Sequence, residues 1–567
     1  MLVSYFLQKL GALARIRSSW NQEAFLAPAT SSILAVDGNP FPSLIEATLE
    51  DLLWGLDTGL FTSVDLVNSY TARILEVNSR LRVVNELNPD AFDIAAGLDA
   101  ERALGALRGP LHGIPILIKD NIATGDKMNN TAGSYALLGS EVPEDSTVVA
   151  KLREAGAVIL GKLNLSEWAH CRSSNSSGGW SALGGQTLGA YYPGQAPSGS
   201  SSGSGVASSI GLSWATLGTE TAGSILLPSA KNNIVGIKPT VGLTSRHLVI
   251  PISEHQDTIG PMARTVKDAA ILLSAIAGVD PKDNYTSAIP FKSVPNYVEA
   301  CGFDSLRGKR IGVPRTLLNI TYSEYTYLDF KHVMAEFSAA LDILRDAGAT
   351  VIDNITLPGY HIQKQTNHTR IVWHADFNTN LAEYLSKLTV NPHNITSVSD
   401  LQVFTRVHPL EEYPERDTDV WQASIDLGFG NDAPEFWPNY LANLYNAGLL
   451  GITGALRNSS LDALVVPTDF APVMPAVIGS PVITVPLGRF PDNTTVRQDG
   501  FWNLNNSGPN FPHGISFMGT HFDEFNLIGL AYAFEQRTLV RDKIVPYIQP
   551  ATELVDVMDL RKIEVEL

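Results

Sequence analysis

The sequence predicts an α/β protein in which helices are layered on a mostly parallel or mixed sheet. Three observations carry this. Short, continuous apolar runs bounded by Gly, Pro or charge recur along the chain: "IPILIKD" (114–120), "AVILGK" (157–162) and "ALVVPT" (463–468). Runs of that length with those flanks are strands buried on both faces. Helical periodicity fills the chain between them, as in "STVVAKLREAGA", which ends at Gly156. Finally, 567 residues with 44% apolar and 17% charged content supply a large core.

Taken in order, the chain opens with "MLVSYFLQKLGALARIRSSW", where Leu2, Val3, Phe6, Leu7, Leu10 and Leu13 recur at helical spacing. Lys9 breaks the run well short of the ~20 apolar residues of a membrane span. The order is also wrong for a signal peptide, so the segment reads as an amphipathic helix on the body of the protein. Residues 1–43 are thus an N-terminal segment, and 44–567 a single domain. Residues 44–107 read as helices, with Thr62-Ser63 a plausible cap before "VDLV". "RIGVPR" (310–315) and "PVITVPLG" (481–488) add strands. The stretch 280–460 is less regular, richer in Tyr, Asn and His, and reads as an insertion that shapes the mouth of a pocket.

The formal charge of −18 argues against nucleic acid and anionic membrane surfaces as partners. Cys171 and Cys301 make no disulfide framework, and whether they pair is left open. There is no C-x-x-C pair and no H-E-x-x-H helix, so the sequence proposes no metal site and no cofactor. Eleven asparagines (129, 164, 175, 284, 319, 354, 367, 394, 458, 493 and 505) sit in N-x-S/T. That excess favours a secretory protein over a cytoplasmic one by a small margin.

Three motifs compete for the chemistry. Gly199-Ser200-Ser201-Ser202-Gly203 matches the G-x-S-x-G elbow, but "AYYPGQAPS" before it is a loop where the elbow needs a strand. Gly156 to Lys162 imitates a phosphate loop, yet Leu163 replaces the required Ser/Thr and the interior is a strand. The third is a serine–lysine system. Lys119 ends an apolar strand, the setting in which burial lowers a lysine's pKa enough for it to act as a base. No Ser-x-x-Lys occurs, so its serine must come from elsewhere in the fold.

The block "ATLGTETAGSILLPSAKNNIVGIKPTVGLTSR" (215–246), with "GPLHGIPILIKDNI" and "SGSSSGSG", resembles the amidase signature family. "GKLNLSEWAHCRSSNSSGGWSALGGQ" (161–186) and "IPISEHQDTIGPMARTVKDAA" (250–270) are similar to the branch that holds bacterial peptide amidases and their plant and fungal relatives. The resemblance covers roughly 45–280 and 460–545, with the signature core at about 110–270 and the insertion at about 280–460. It implies a three-layer α/β/α fold with a large mixed central sheet covered by helices. It also implies an amidohydrolase that works through an acyl-enzyme, on a peptide, aryl or fatty acyl amide.

Carried over residue by residue, the resemblance makes Lys119 the base, Ser200 the relay beside a cis bond at Gly199, and Ser224, twenty-four positions on, the nucleophile. The N–H groups of Thr221, Ala222 and Gly223, with that of Ser224, would form the oxyanion hole, and Thr219 would support the lysine. Ser201 and Ser202 are expected to bond local backbone and substrate. Ala222 stands where relatives carry Gly or Asp, and Leu226 where many carry Arg. The acyl pocket should therefore be smaller and more apolar, and Glu220 should lack an arginine partner. Trp168, His170, Cys171, Trp180 and Trp214 lie near the motif and read as core packing. The alternatives are a catalytically weak binding paralogue and a component of an amidotransferase. The expected partner is a small-molecule or peptide amide, with no stable membrane insertion and a monomer or homodimer.

Overall fold

The computed structural model describes residues 41–318, 330–499 and 502–558. The expected amphipathic helix at the N-terminus and Asn319 lie outside the described residues. The described residues from Ser43 onward form one compact unit.

Its centre is an 11-stranded mixed sheet. The strands are β1 (Val84–Leu87), β2 (Pro115–Lys119), β3 (Val158–Leu163), β4 (Ala215–Glu220), β5 (Val235–Lys238), β6 (Thr258–Ala263), β7 (Arg310–Gly312), β8 (Thr350–Ile352), β9 (Ala463–Pro467), β10 (Val482–Arg489) and β11 (Pro512–Met518). They lie in the order β1-β3-β2-β4-β6-β5-β10-β11-β9-β7-β8. The pairs β3–β2, β2–β4, β9–β7 and β7–β8 are parallel and the other six antiparallel. Every residue of β2, β3, β4, β9 and β11 is buried. Such double-sided burial requires helices on both faces, which is why the apolar runs do not alternate.

Helices used below are α1 (Leu49–Asp57), α2 (Ser63–Leu81), α3 (Thr147–Glu154), α4 (Ser202–Ser209), α5 (Leu226–Lys231), α6 (Val266–Ile276), α7 (Phe330–Asp346), α8 (His368–Ser386) and α9 (Glu524–Thr538). At α2, Thr62 accepts from Asp65 N at 3.1 Å while Asp65 accepts from Thr62 N at 2.8 Å. That reciprocal capping box accounts for the sharp start expected there. α1 starts the same way at Thr48 and Asp51.

The expectation of helices throughout 44–107 fails at β1. Asn78 Oδ1 accepts from Val83 N at 2.8 Å and from Val84 N at 2.9 Å, and its amide donates to Val84 O. One side chain thus ends α2 and hands the chain to an edge strand antiparallel to β3. The segment 280–460 is also more regular than expected. It holds α7 and α8 and supplies β7 and β8 to the sheet. Part of it packs on the core through an apolar cluster in which Phe377, Leu381 and Trp421 meet Trp168, Cys171, Ile250 and Ile252. Trp168 and Trp421 meet edge to face, with ring centroids 5.8 Å apart. Trp180 and Trp214 are also buried, His170 is exposed, and Cys171 and Cys301 are both free thiols.

Candidate active site

β2 carries the stem of Lys119 through the sheet, and its amine emerges where β2 and β4 end side by side. Nζ is fully buried. It lies 2.8 Å from Ser200 Oγ, 3.0 Å from Ser201 Oγ, 2.9 Å from Thr219 Oγ1 and 3.2 Å from Thr219 O. No carboxylate among the described residues pairs with it. Burial pushes this amine down to about 7 from an ordinary 10.5, with Asp257 and Glu220 pulling weakly the other way.

The four contacts are not equivalent. Thr219 O can only accept. Ser201 Oγ gives its own proton to Thr219 O at 3.1 Å, so towards the lysine it accepts. Thr219 Oγ1 already receives the Asn121 amide at 3.0 Å. A neutral amine has two N–H donors and one lone pair. With the N–H groups directed at Thr219 and Ser201, the lone pair is left for the hydroxyl of Ser200.

Ser200 lies in a segment that is buried from Ser200 through Gly211, unlike a linker. The Gly199–Ser200 bond is cis. Ser200 O accepts from Ser166 N at 3.0 Å, and Ser202 Oγ donates to Ser198 O at 2.6 Å. A Cβ at Gly199 would stand 2.3 Å from Ser166 Oγ, so this position has room only for glycine. α4 begins at Ser202. Ser201 N donates to Ser224 O at 3.2 Å and ties this segment to the turn that carries Ser224.

That turn joins β4 to α5. Gly223 has φ +87°, and a Cβ there would also meet Leu227 at 2.9 Å. Glu220, at the end of β4, folds back under the turn. It accepts from Gly223 N at 2.7 Å, Ile225 N at 2.7 Å and Leu226 N at 3.0 Å. In place of an arginine partner, this buried carboxylate is held by three backbone donors. The Gly223 N–H, expected in the oxyanion hole, is thus already taken by Glu220. Among the described residues, the N–H groups of Thr221, Ala222 and Ser224 and the Ser224 hydroxyl make no hydrogen bond. Ala222 and Ser224 are only partly buried.

A second layer positions Thr221. Its hydroxyl donates to Asp257 at 2.6 Å, and its carbonyl accepts from Gln256 Nε2 at 3.4 Å. Asp257 also takes the N–H groups of Ile252 and Ser253, and burial pushes its carboxyl up to about 6. Gln256 in turn accepts from Trp373 Nε1, on α8, at 2.6 Å. Asn121, Ser201, Asp257, Gln256 and Trp373 are neighbours of the candidate site to which the sequence alone assigns no catalytic role. Asn121 and Ser201 adjoin residues that it does single out, and Asp257 sits in "SEHQDTIGP". Trp373 carries no sequence signal.

Two groups of described residues have the composition to hold a cation: Glu254, His255 and Asp376, and His332, Glu336 and His513. In the first, Asp376 already accepts from His255 Nδ1 at 3.0 Å, Ser253 Oγ at 2.5 Å and Asn431 Nδ2 at 2.8 Å.

A mixed, helix-covered sheet whose strand-end lysine meets serine hydroxyls has the groups that nucleophilic hydrolysis needs. The chain belongs to the Amidase family, whose profile matches residues 65–528, and it is an amidase. A sequence from Arthroderma benhamiae, itself provisionally assigned as an amidase, is 52% identical over 538 residues, covering 91% of this chain and 90% of its own. The crystal structure of native peptide amidase from Stenotrophomonas maltophilia superposes with a TM-score of 0.79 at 39% identity, covering 90% of this chain and all of that one. A component of the glutamyl-tRNA(Gln) amidotransferase of Chloroflexus aurantiacus is 40% identical, but over only 58% of this chain and 64% of its own. No helix among the described residues is long and apolar enough to cross a membrane.

Proposed function

We propose that this amidase cleaves its substrate through Ser224, Ser200 and Lys119, by way of an acyl-enzyme. The observation that carries the reading is the fully buried Lys119 amine, 2.8 Å from Ser200 and without a carboxylate partner among the described residues. Ser224 Oγ attacks the amide carbon, its proton moves to Ser200 Oγ, and the proton of Ser200 moves to neutral Lys119. The tetrahedral oxyanion faces the N–H groups of Thr221, Ala222 and Ser224, with Gly223 kept for Glu220. Loss of one such donor costs on the order of 3 kcal/mol of transition-state stabilisation. As the C–N bond breaks, the same chain returns a proton to the leaving nitrogen. Water then attacks the ester, giving up a proton along that chain and restoring Ser224.

Likeness to peptide amidase across the whole domain supports C-terminal peptide amides as the first substrate class to try, ahead of aryl and fatty acyl amides. An amidotransferase role is disfavoured by the charge of −18, which repels tRNA, and by the partial coverage of that relative. For a secretory route, Asn284, Asn354, Asn367, Asn394, Asn458 and Asn493 are exposed enough to carry glycans. Asn164 is buried, its amide bonded to Gly185 O and Thr187 Oγ1.

The test is ammonia or amine release from peptide C-terminal amides, simple primary amides and anilides, run beside Ser224→Ala. Release by the wild type that falls to background in the variant is expected. Equal rates in the two proteins rule out Ser224 as nucleophile.

A further inference from the structure

We propose that His332, Glu336 and His513 form a divalent-cation site of zinc type that pins α7 to the central sheet, using none of the residues assigned to amide cleavage. His332 and Glu336 are one turn apart on α7 and share a face. His513 stands opposite them on β11 and is fully buried. One ligand atom from each of the three falls within 4.8 Å of the others. His332 Nε2 is 3.2 Å from Glu336 Oε1, and His513 Nε2 is in close contact with Glu336 Oε2. Donors bound at 2.0–2.2 Å around a tetrahedral ion stand about 3.4 Å apart, so the cluster needs only small shifts to converge on one centre. The two imidazole rings are nearly perpendicular (88°), with centroids 5.8 Å apart, and do not stack. Both Nε2 atoms meet the Glu336 carboxylate, one at each oxygen.

Two further observations show a site shaped around the carboxylate. β10 passes Glu336 with Gly488, where an added Cβ would lie 1.9 Å from Glu336 Oε2. Any side chain at 488 would occupy the space the carboxylate fills. His513 Nδ1 is buried and makes no hydrogen bond, so no group behind the ring dictates its tautomer. What meets Nε2 decides it. His332 Nε2 also lies 3.0 Å from Arg489 O, a contact that the proton-bearing ring makes and a metal-bound ring gives up. Two imidazoles and one carboxylate are a donor set that suits zinc better than the all-oxygen sites of calcium or magnesium. His332 and Glu336 are partly exposed, so water can complete the coordination.

The site escapes sequence reading because Glu336 and His513 are 177 residues apart. It is tested on the full, tag-free chain, stripped with chelator, dialysed against zinc sulfate and desalted. Metal content is read by mass spectrometry, and site geometry by the visible d–d bands after cobalt substitution. The expected result is one zinc per wild-type chain, tetrahedral cobalt bands, and a Tm raised by zinc. His332→Ala and Glu336→Gln lose all three while keeping the wild-type circular dichroism, since both positions are partly exposed. Asp376→Asn, at the other cluster, keeps its zinc. Zinc content in His332→Ala or Glu336→Gln equal to that of the wild type overturns the proposal. So does a wild type that retains none, or loss of zinc in Asp376→Asn alone.

Discussion

Lys119 Nζ and Ser200 Oγ lie 2.8 Å apart in a pocket of hydroxyls and carbonyls with no counter-ion among the described residues. An amine in that setting is more useful as a base than as a charge. If Ser200 and Lys119 act as one proton path, removing either has the same effect. Lys119→Met, which keeps the volume of the stem, and Ser200→Ala should each lower kcat by about 10²–10⁴-fold. The double variant should be no worse than the poorer single one, because residues acting as a unit are not additive. Steady-state kinetics on one amide, with circular dichroism to show retained fold, decides it. Additive losses would separate the two residues.

The amine of Lys119 sits at about 7 because burial penalises its charged form. On the proposed mechanism the neutral amine is the reactive form, so kcat/KM should rise with pH through a single proton loss near 7 and level off above it. Asp257 favours the protonated lysine. Asp257→Asn therefore shifts the rising limb to lower pH, while also lowering kcat because Thr221 loses its anchor. The stability sign follows from the same shift. Between about 7 and 10.5 the unfolded chain binds a proton on this lysine that the native chain does not. Lys119 thus adds stability as pH rises through that window. Urea unfolding of Lys119→Met should show a flatter rise across it.

The parts legible in the sequence are those set by local pattern. An apolar run ending in lysine announces β2 with Lys119 at its end, and Thr62 with Asp65 announces α2. Distance in the chain hides the rest. β4, "ATLGTE", mixes small and polar residues, so it has no strand signature of its own. Pairing with β2 and β6 holds it in the middle of the sheet. β1 is lost inside a helical stretch because a single side chain, Asn78, makes the break. The direction of the Gly223 N–H depends on how far Glu220 reaches back, which no spacing rule contains. Trp373 reaches Gln256 from an element 117 residues away.

Glu220 receives three backbone N–H groups with two carboxylate oxygens, and its side chain is almost wholly buried. Glu220→Gln keeps the shape but leaves one acceptor oxygen, and its amide group then faces a backbone donor. At least one buried N–H goes unpaired, at a cost of about 1–3 kcal/mol. A lower Tm is expected. A larger fall in kcat than rise in KM should accompany it, since the turn that shifts also carries Ser224 and the proposed oxyanion donors. Wild-type kcat with a lowered Tm would show that the carboxylate supports the fold alone.

Arg172 ties the insertion to the core. Its guanidinium holds Glu167 at 2.7 Å and Glu411 at 2.9 Å, and donates to the carbonyls of Glu411, Arg416 and Asp417. Glu411 also receives Ser134 Oγ and Tyr135 N, each at 2.8 Å. Burial, with Glu411 beside it, already pushes the Glu167 carboxyl well above the usual range, against the pull of Arg172. Arg172→Met leaves two buried carboxylates without a cation and should cost about 3–5 kcal/mol. The Glu167 carboxyl then stays protonated in the native state at pH values where the unfolded chain has released that proton. Native protons in excess make stability fall as pH rises. Urea midpoints of Arg172→Met should therefore drop further below wild type at pH 8 than at pH 5. A deficit that shrinks with rising pH would mean that the carboxylates had found other partners.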